Sequence, residues 1–525
     1  MKEYEKLIKK FDAVLRERLV FDLAEKMIKK IPKAEVYLVG GAVRDVILGR
    51  PVKDIDILVR KVSPADLEKF LKTQGKVDLV GKRFSVLKFT PKTAGLLRGV
   101  KPRTELCSGA RARNDGAGEA TRQIDIALPR TDFSYGTGGY KDVKVKSDPN
   151  LAVEEDLARR DFTVNAMAWN VLEKKIIDPY GGLLDLKKKI IRTVGLPKER
   201  FGEDYSRMLR AVRFAMQLDF KIESNTRAAI KKYIGRINDL TPTSPLGLRG
   251  AGGDRKVPYE VIVSEFLKSF SVAPRKTIET YFDCGAIKKL MPELLTMKKC
   301  SQPKEHHSEG DVLTHTLIAL DNINSKMFKK YFPEPVSLTA KVAILLHDIG
   351  KPKSKKKMDG RTVFYNHDKI GAGMAKNFLE RLKFSAPPDI GIDAEEVVWL
   401  VGNHLLFFYS PPEQMKKTTL EKYLFNKRFS GLSHMQLFLA DATATKPEKI
   451  KLDLTRFKKA YELWRSFQKT EKLEMPKPFL NGDEVMKILK IAPGPKVGDI
   501  LNLLREEQLN GRVKTKKDAE KFIKK

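Results

Sequence analysis

The chain reads as an α+β fold, a mixed sheet with helices over its first 199 residues, followed by an all-helical remainder. Three observations predict this. A strand, a double-glycine turn, a short helix and a second strand succeed one another between Tyr37 and Val59. From about residue 200 the apolar residues recur at helical spacing, as in Tyr205 to Leu218 and Tyr259 to Lys268. All 7 histidines fall between residues 306 and 434, in segments of that same helical pattern.

Taken in order, residues 1–31 form an amphipathic helix with Leu7, Phe11, Leu15, Leu19 and Leu23 on one stripe, packing against the head that begins after it. Gly40 and Gly41 lack Cβ, so the backbone there turns sharply and approaches a phosphate, with the N–H groups of a helix starting near Ala42 aimed at it. Gly49 and Pro51 stop that helix. On the next strand Asp54 and Asp56 share one face, about 7 Å apart at Cα, while Ile55 and Ile57 enter the core. That spacing suits carboxylates gripping one or two Mg²⁺ ions, which sit about 4 Å apart in two-metal sites. An isolated Asp-x-Asp is more often a solvated edge strand; joined to the glycine turn it reads as a metal site beside a phosphate cradle. Strand Gln123 to Leu128 then offers Asp125 as a third carboxylate, although a buried strand carboxylate also serves helix caps and arginines.

Two stretches, about 92–123 and about 241–258, are rich in Gly and Arg and poor in apolar periodicity, and read as surface insertions; RNA contact by Arg111, Arg113 and Arg249 is the lesser reading. Lys+Arg 101 against Asp+Glu 67 gives a net charge of +34, which points to a polyanionic partner, nucleic acid first. Cys107, Cys284 and Cys300 are odd in number and lack Cys-x-x-Cys spacing, so neither a disulfide-linked partner nor a zinc knuckle is expected. No apolar run approaches membrane-spanning length and the N-terminus has no targeting pattern, so a cytoplasmic protein is expected.

Glu203 to Arg207 opens a helix on which Asp204 and Arg207, three residues apart, project together. A carboxylate beside a guanidinium matches the amino donor and ring-nitrogen acceptor shared by cytosine and adenine, and mismatches guanine and uracil. Standing alone, an ordinary intrahelical ion pair would be the better reading.

Tyr37 to Val59 resembles the head of class II tRNA nucleotidyltransferases and bacterial poly(A) polymerases, whose signature is Gly-Gly-x-Val-Arg-Asp followed by Asp-x-Asp. The resemblance continues through Arg159-Arg160-Asp161-Phe162-Thr163-Val164-Asn165-Ala166, Asp178 to Gly182 with Asp185-Leu186, and Glu203-Asp204-x-x-Arg207-x-x-Arg210-x-x-Arg213-Phe214. It implies a polymerase-β-like head with Asp54, Asp56 and Asp125 as catalytic Mg²⁺ ligands. Gly40, Gly41, Arg44, Arg159, Arg160, Asp161, Asn165, Asp204, Arg207, Arg210 and Arg213 would bind the nucleotide. Arg159 and Arg160 would take the triphosphate and ribose, Asp161 a ribose hydroxyl, and Asp204 with Arg207 the base.

The histidine block resembles the HD phosphohydrolase domain. His315, His347, Asp348 and Asp441 would bind a divalent transition metal or Mg²⁺, with His367 and His404 as further ligands and His306 and His307 outside the site. The implied domains are an N-terminal helix (1–31), head (32–199), helical neck (200–300), HD domain (301–450) and a tRNA-touching helical tail (451–525). The implied activity is template-independent addition or repair of the tRNA 3′-terminal CCA from CTP and ATP. The rivals are a poly(A) polymerase, a CC-only or A-only enzyme, and, from another class, an HD phosphohydrolase acting on RNA ends or nucleotides.

Overall fold

The computed structural model describes residues 2–17, 19–80, 86–92, 123–140, 142–239, 257–305, 307–387, 390–426, 428–445, 453–469 and 478–524. Most of both proposed insertions, with Arg111, Arg113 and Arg249, lies outside the described residues, as do Cys107 and His306. Two compact units divide the chain, Met1–Lys289 and Leu290–Lys525. Head and neck thus share one unit, whose edge falls between Lys289 and Leu290 rather than at residue 300.

In the first unit, α1 (Lys2–Glu17) and α2 (Val20–Lys30) replace the single N-terminal helix expected. Leu19 sits between them in the left-handed conformation (φ 58°), which ends one helix and starts the next. The expected stripe still faces inward, because Phe11, Leu15 and Leu23 are buried.

A seven-stranded sheet carries the site. Its strands are β1 (Glu35–Val39), β2 (Ile55–Arg60), β3 (Gly75–Val80), β4 (Val86–Pro91), β5 (Ile124–Ala127), β8 (Ala168–Asn170) and β9 (Lys175–Ile177), in the order β3-β4-β5-β2-β1-β8-β9. Within this sheet β2 and β5 pair in parallel and every other pair is antiparallel. The strands β6 (Arg130–Ser134) and β7 (Val143–Ser147) form a separate hairpin.

Side-chain alternation splits the large sheet into two faces. Trp169, Leu38, Ile57, Ile126 and Leu87 lie in one cross-strand row, and Phe11 of α1 stacks on Trp169 at 4.1 Å and 7°. The other face carries Asp56, Asp125 and Leu58. There α5 (Val153–Ala158) adds Val153 and Leu157 to a core with Tyr37, Val39, Leu58 and Ala168.

Helix α3 (Gly41–Leu48) links β1 to β2, α4 (Pro64–Gln74) links β2 to β3, and α6 (Gly182–Lys188) comes after β9. Asp178 caps α6 by accepting from the N–H groups of Gly182 and Leu183 at 2.6 and 2.9 Å, so the Asp-Pro-Tyr-Gly-Gly motif is a structural brace. Then come α7 (Pro197–Glu203), α8 (Ser206–Leu218), α9 (Ser224–Tyr233), α10 (Tyr259–Val272) and α11 (Pro274–Asp283), with α8 packed along α10.

The second unit is helical apart from one short hairpin, among the described residues. Helices Val312–Asn322, Leu338–Leu346, His367–Leu382, Ala394–Asn403 and Gly431–Ala444 surround the histidines. Helices Gly482–Leu489, Pro495–Leu509 and Lys516–Ile523 bury Val485, Val497, Leu504 and Ala519 in a small core of their own.

Candidate functional site

The turn between β1 and α3 is built as its glycines require. Gly40 has φ 73° and ψ −134°, and a Cβ there would lie 2.6 Å from Arg160 Nη1 and 3.7 Å from Asp56 Oδ2. A side chain there would be strained by that φ and would have to push the Arg160 guanidinium aside. Gly49 closes α3 with φ 67°.

The parallel β2–β5 register sets Asp56 directly beside Asp125, and Asp54 immediately precedes β2 on the same alternation. All three expected carboxylates therefore gather on one sheet face. Burial raises the Asp56 pKa, Arg160 opposes this, and the charges of Asp125 and Asp54 raise it further. A half-buried carboxylate held against two like charges is poised for a multivalent cation, so these residues fit the divalent metal their arrangement implies.

From this turn a chain of hydrogen bonds runs to α8. Arg44 is bidentate to Asp45 and donates from Nη1 to Asn165 Oδ1 at 2.6 Å. Asn165 Nδ2 donates to Asp161 Oδ1 at 3.2 Å, and Asp161 Oδ2 accepts from Arg210 Nε at 2.9 Å and from Nη2 at 2.5 Å. Burial alone would raise the Asp161 pKa, but the Arg210 charge and its hydrogen bond bring it down to about 2.

Several expected nucleotide ligands are engaged by other side chains, and Asp204 lies off the helix expected for it. The Asp161 carboxylate is buried and occupied by Arg210 and Asn165, so it is not open to a ribose hydroxyl. Arg213 turns to Glu265 of α10 at 2.6 Å and to Gln217 at 3.0 Å, which makes it a link within the neck. Arg159 is held by Asp156 at 2.9 Å and by Asp132 at 3.1 Å, whereas its neighbour Arg160 lies over Gly40. Asp204 is not on a helix: it joins α7 to α8 in extended conformation and accepts from the Ser206 N–H at 2.8 Å.

Arg207 pairs with Glu203 at 2.6 Å rather than with Asp204, because Glu203 closes α7 one turn before it. Burial raises the Asp204 pKa against the pull of the Ser206 hydrogen bonds, Arg207 and Arg210. Asp132, Asp156 and Arg200, which hold these arginines, went unforeseen from the sequence, as did the grip of Glu203 on Arg207. The i, i+3 and i, i+4 spacings of Asp156 to Arg159 and Arg160 were the available signal.

In the second unit the helices converge on a second polar cluster. His315 Nε2 lies 2.9 Å from Asp441 Oδ1, with His347 Nε2 3.7 Å from the same oxygen. Asp348 stands between two groups, its Oδ2 3.3 Å from His347 and its Oδ1 3.4 and 3.8 Å from His367 and His404.

The triads His315, His347, Asp441 and Asp348, His367, His404 each bring their ligand atoms within 4.8 Å of one another. His347, His367 and His404 each pass Nδ1 to a backbone carbonyl at 2.8 Å. Among the described residues, their buried Nε2 atoms have no hydrogen-bond partner. Orphaned imidazole nitrogens facing carboxylates are what a divalent metal would satisfy.

Burial drives His404 down to about 4, with the His347 charge adding to it. His307 adjoins the site rather than lying outside: Glu309 bonds both His307 Nδ1 at 2.7 Å and His315 Nδ1 at 2.8 Å. Lys351 Nζ, 2.7 Å from Asp348 Oδ2, also went unforeseen.

The free thiols Cys284 and Cys300 are buried, and burial raises Cys284 to about 11. No helix among the described residues is long and apolar enough to cross a membrane.

Comparison with known proteins agrees with this geometry. The Poly A polymerase head domain family matches residues 36–96 and 92–192, and the HD domain family matches residues 312–443. The "Multifunctional CCA protein" of Azoarcus sp. (strain BH72) is 32% identical over 357 residues, covering 67% of this chain and 70% of that protein. The "A-adding tRNA nucleotidyltransferase" of Deinococcus radiodurans is 30% identical over 380 residues, covering 71% and 79%.

Among solved structures, the Thermotoga maritima CCA-adding enzyme complexed with tRNA has a TM-score of 0.55 at 20% identity, covering 99% of this chain and 97% of that one. The Bacillus stearothermophilus CCA-adding enzyme in complex with CTP has a TM-score of 0.55 at 20% identity, covering 96% of each. These structures share the fold, and the sequence relatives carry the kinship. The chain belongs to the tRNA nucleotidyltransferase family of CCA-adding and A-adding enzymes, with an HD domain in the same polypeptide.

Proposed function

We propose that the chain adds the CCA end to tRNA, joining CMP and AMP units from CTP and ATP to the RNA 3′-hydroxyl with release of pyrophosphate. The observation that carries this reading is the Asp56–Asp125 pairing beside the Gly40 turn and Arg160, in a chain of this family. Asp54, Asp56 and Asp125 would hold the divalent ions, Mg²⁺ by the all-oxygen donor set. When bound, such ions lower the pKa of the attacking hydroxyl and neutralise charge on the α-phosphate and the leaving pyrophosphate.

The residues of the chain do the rest. The Gly40 turn and the first N–H groups of α3 cradle phosphate oxygens, and Arg160, above Gly40, supplies a fixed guanidinium for them. Asp204 accepts from the exocyclic amino group of cytosine or adenine, and Arg207 donates to the ring nitrogen beside it. Glu203 and the Arg159 carbonyl hold the Arg207 guanidinium, so the protein edge is rigid before the base arrives. Asn165 and Asp161 position these parts without touching the nucleotide.

The HD cluster supports a separate hydrolytic activity on phosphoesters. His315, His347, Asp348, Asp441, His367 and His404 would hold one or two divalent ions, which supply a hydroxide nucleophile when bound.

The test offers tRNA transcripts ending before CCA, after C and after CC, each with CTP, ATP or both, and reads product length. Growth that stops at CCA is expected. Extension of the CC transcript alone, as for the A-adding relative, or long adenosine tails would replace the proposal.

A further inference from the structure

The β6–β7 hairpin presents a face that the site does not use. In its register Phe133 stands opposite Lys144 and Thr131 opposite Lys146. Alternation places Thr131, Phe133 and Tyr135 on the same side as the two lysines. Phe133 and Tyr135 are 56% and 41% exposed, and both lysines are exposed. The opposite side, with Arg130, Asp132 and Val145, is turned inward, where Asp132 holds Arg159 at 3.1 Å. Beyond β6 the turn docks on the neck: the Tyr205 N–H donates to the Gly138 carbonyl at 3.1 Å, and a Cβ on Gly138 would meet the Tyr205 ring at 2.1 Å. An exposed pair of aromatic rings is thus fixed to the Arg159–Arg160 motif at one edge and to the Asp204–Arg207 junction at the other.

We propose that this hairpin face is a stacking platform for the unpaired 3′-terminal nucleotides of the RNA substrate. The two rings take base faces and Lys144 and Lys146 take the adjoining phosphates. Solvent-exposed aromatics alternating with lysines on a two-stranded ribbon match single-stranded RNA, whose bases are free to leave their stack, and do not match a closed duplex. The net charge of +34 supplies the complementary field. This deepens the proposed function and rests on it for the identity of the RNA, but the binding it describes is measurable without catalysis.

The experiment is fluorescence anisotropy of the full chain with an RNA hairpin carrying a short unpaired 3′ overhang, and with the same hairpin made blunt. Phe133→Ala with Tyr135→Ala is expected to weaken overhang binding about tenfold or more, with the blunt hairpin and the salt dependence unchanged. Phe133→Tyr with Tyr135→Phe is expected to keep wild-type affinity, which separates stacking from misfolding. Lys144→Ala with Lys146→Ala is expected to weaken both probes and to lower the slope of log affinity against log salt by roughly one or more. Overhang affinity unchanged within twofold in the aromatic variant overturns the platform, as does an equal loss on both probes. A wild-type chain that prefers the overhang yet extends no tRNA would leave the platform standing and sink the CCA reading.

Discussion

At the scale of single residues, charge placement decides function. Asp54→Ala with Asp56→Ala is expected to reduce nucleotide incorporation to background while tRNA binding stays within a few fold; filter binding beside a primer-extension gel checks both. Asp204→Ala is expected to admit GTP and UTP in the same gel assay, since the vacated edge no longer refuses a protonated ring nitrogen.

The Asp161–Arg210 pair has a pH signature. Its folded pKa of about 2 lies below the ordinary 3.8, so the stabilisation is present above about 3.8 and drains away as pH falls towards 2. Asp161→Asn is therefore expected to cost about 2 kcal/mol near pH 7 by thermal denaturation, with the gap to wild type closing below pH 4. The carboxylate trio was legible from the sequence because strand alternation fixes which side chains share a face. The roles of Asp161 and Arg213 were not, because ion pairs spanning 49 and 52 positions leave no local trace.

At the scale of elements, the boundaries of α3, α8 and α10 followed from glycine stops and helical periodicity, and the structure places them within a few residues. The break at Leu19 did not, since leucine carries no turn signal. The separation of α7 from α8 at Asp204 was also hidden. Asp204 and Arg207 have helical spacing whether or not the helix is continuous. Gly138 tests how the β6–β7 turn supports this junction. With φ 72° and Tyr205 in contact, Gly138→Ala is expected to cost roughly 2–3 kcal/mol and to raise KM for both nucleotides, measured by denaturant unfolding and steady-state kinetics.

For the whole molecule, the carboxylate trio belongs to one unit and the histidine cluster to the other. His347→Ala is expected to abolish hydrolysis of bis(p-nitrophenyl) phosphate yet leave nucleotide incorporation within about twofold, because the histidine cluster and the carboxylate trio share no residue. Asp56→Ala should do the reverse. Parallel assays of the two activities on each variant decide it.

The change of periodicity near residue 200 falls inside the first unit, and the histidine block after it lies in the second. The unit edge at Lys289 was not legible, because the neck is tied to the head by bonds between residues far apart in sequence, such as Arg210 with Asp161 and the Tyr205 N–H with the Gly138 carbonyl.

The stacking of Phe11 on Trp169 carries a consequence for how the chain is made. The apolar stripe of α1 and α2 is translated well before the strand that carries Trp169. At about 5–20 residues per second the stripe waits on the order of ten seconds for its partner. During that interval it is a site for a holding chaperone, and slowing translation between α2 and β8 should raise the share of nascent chain that aggregates.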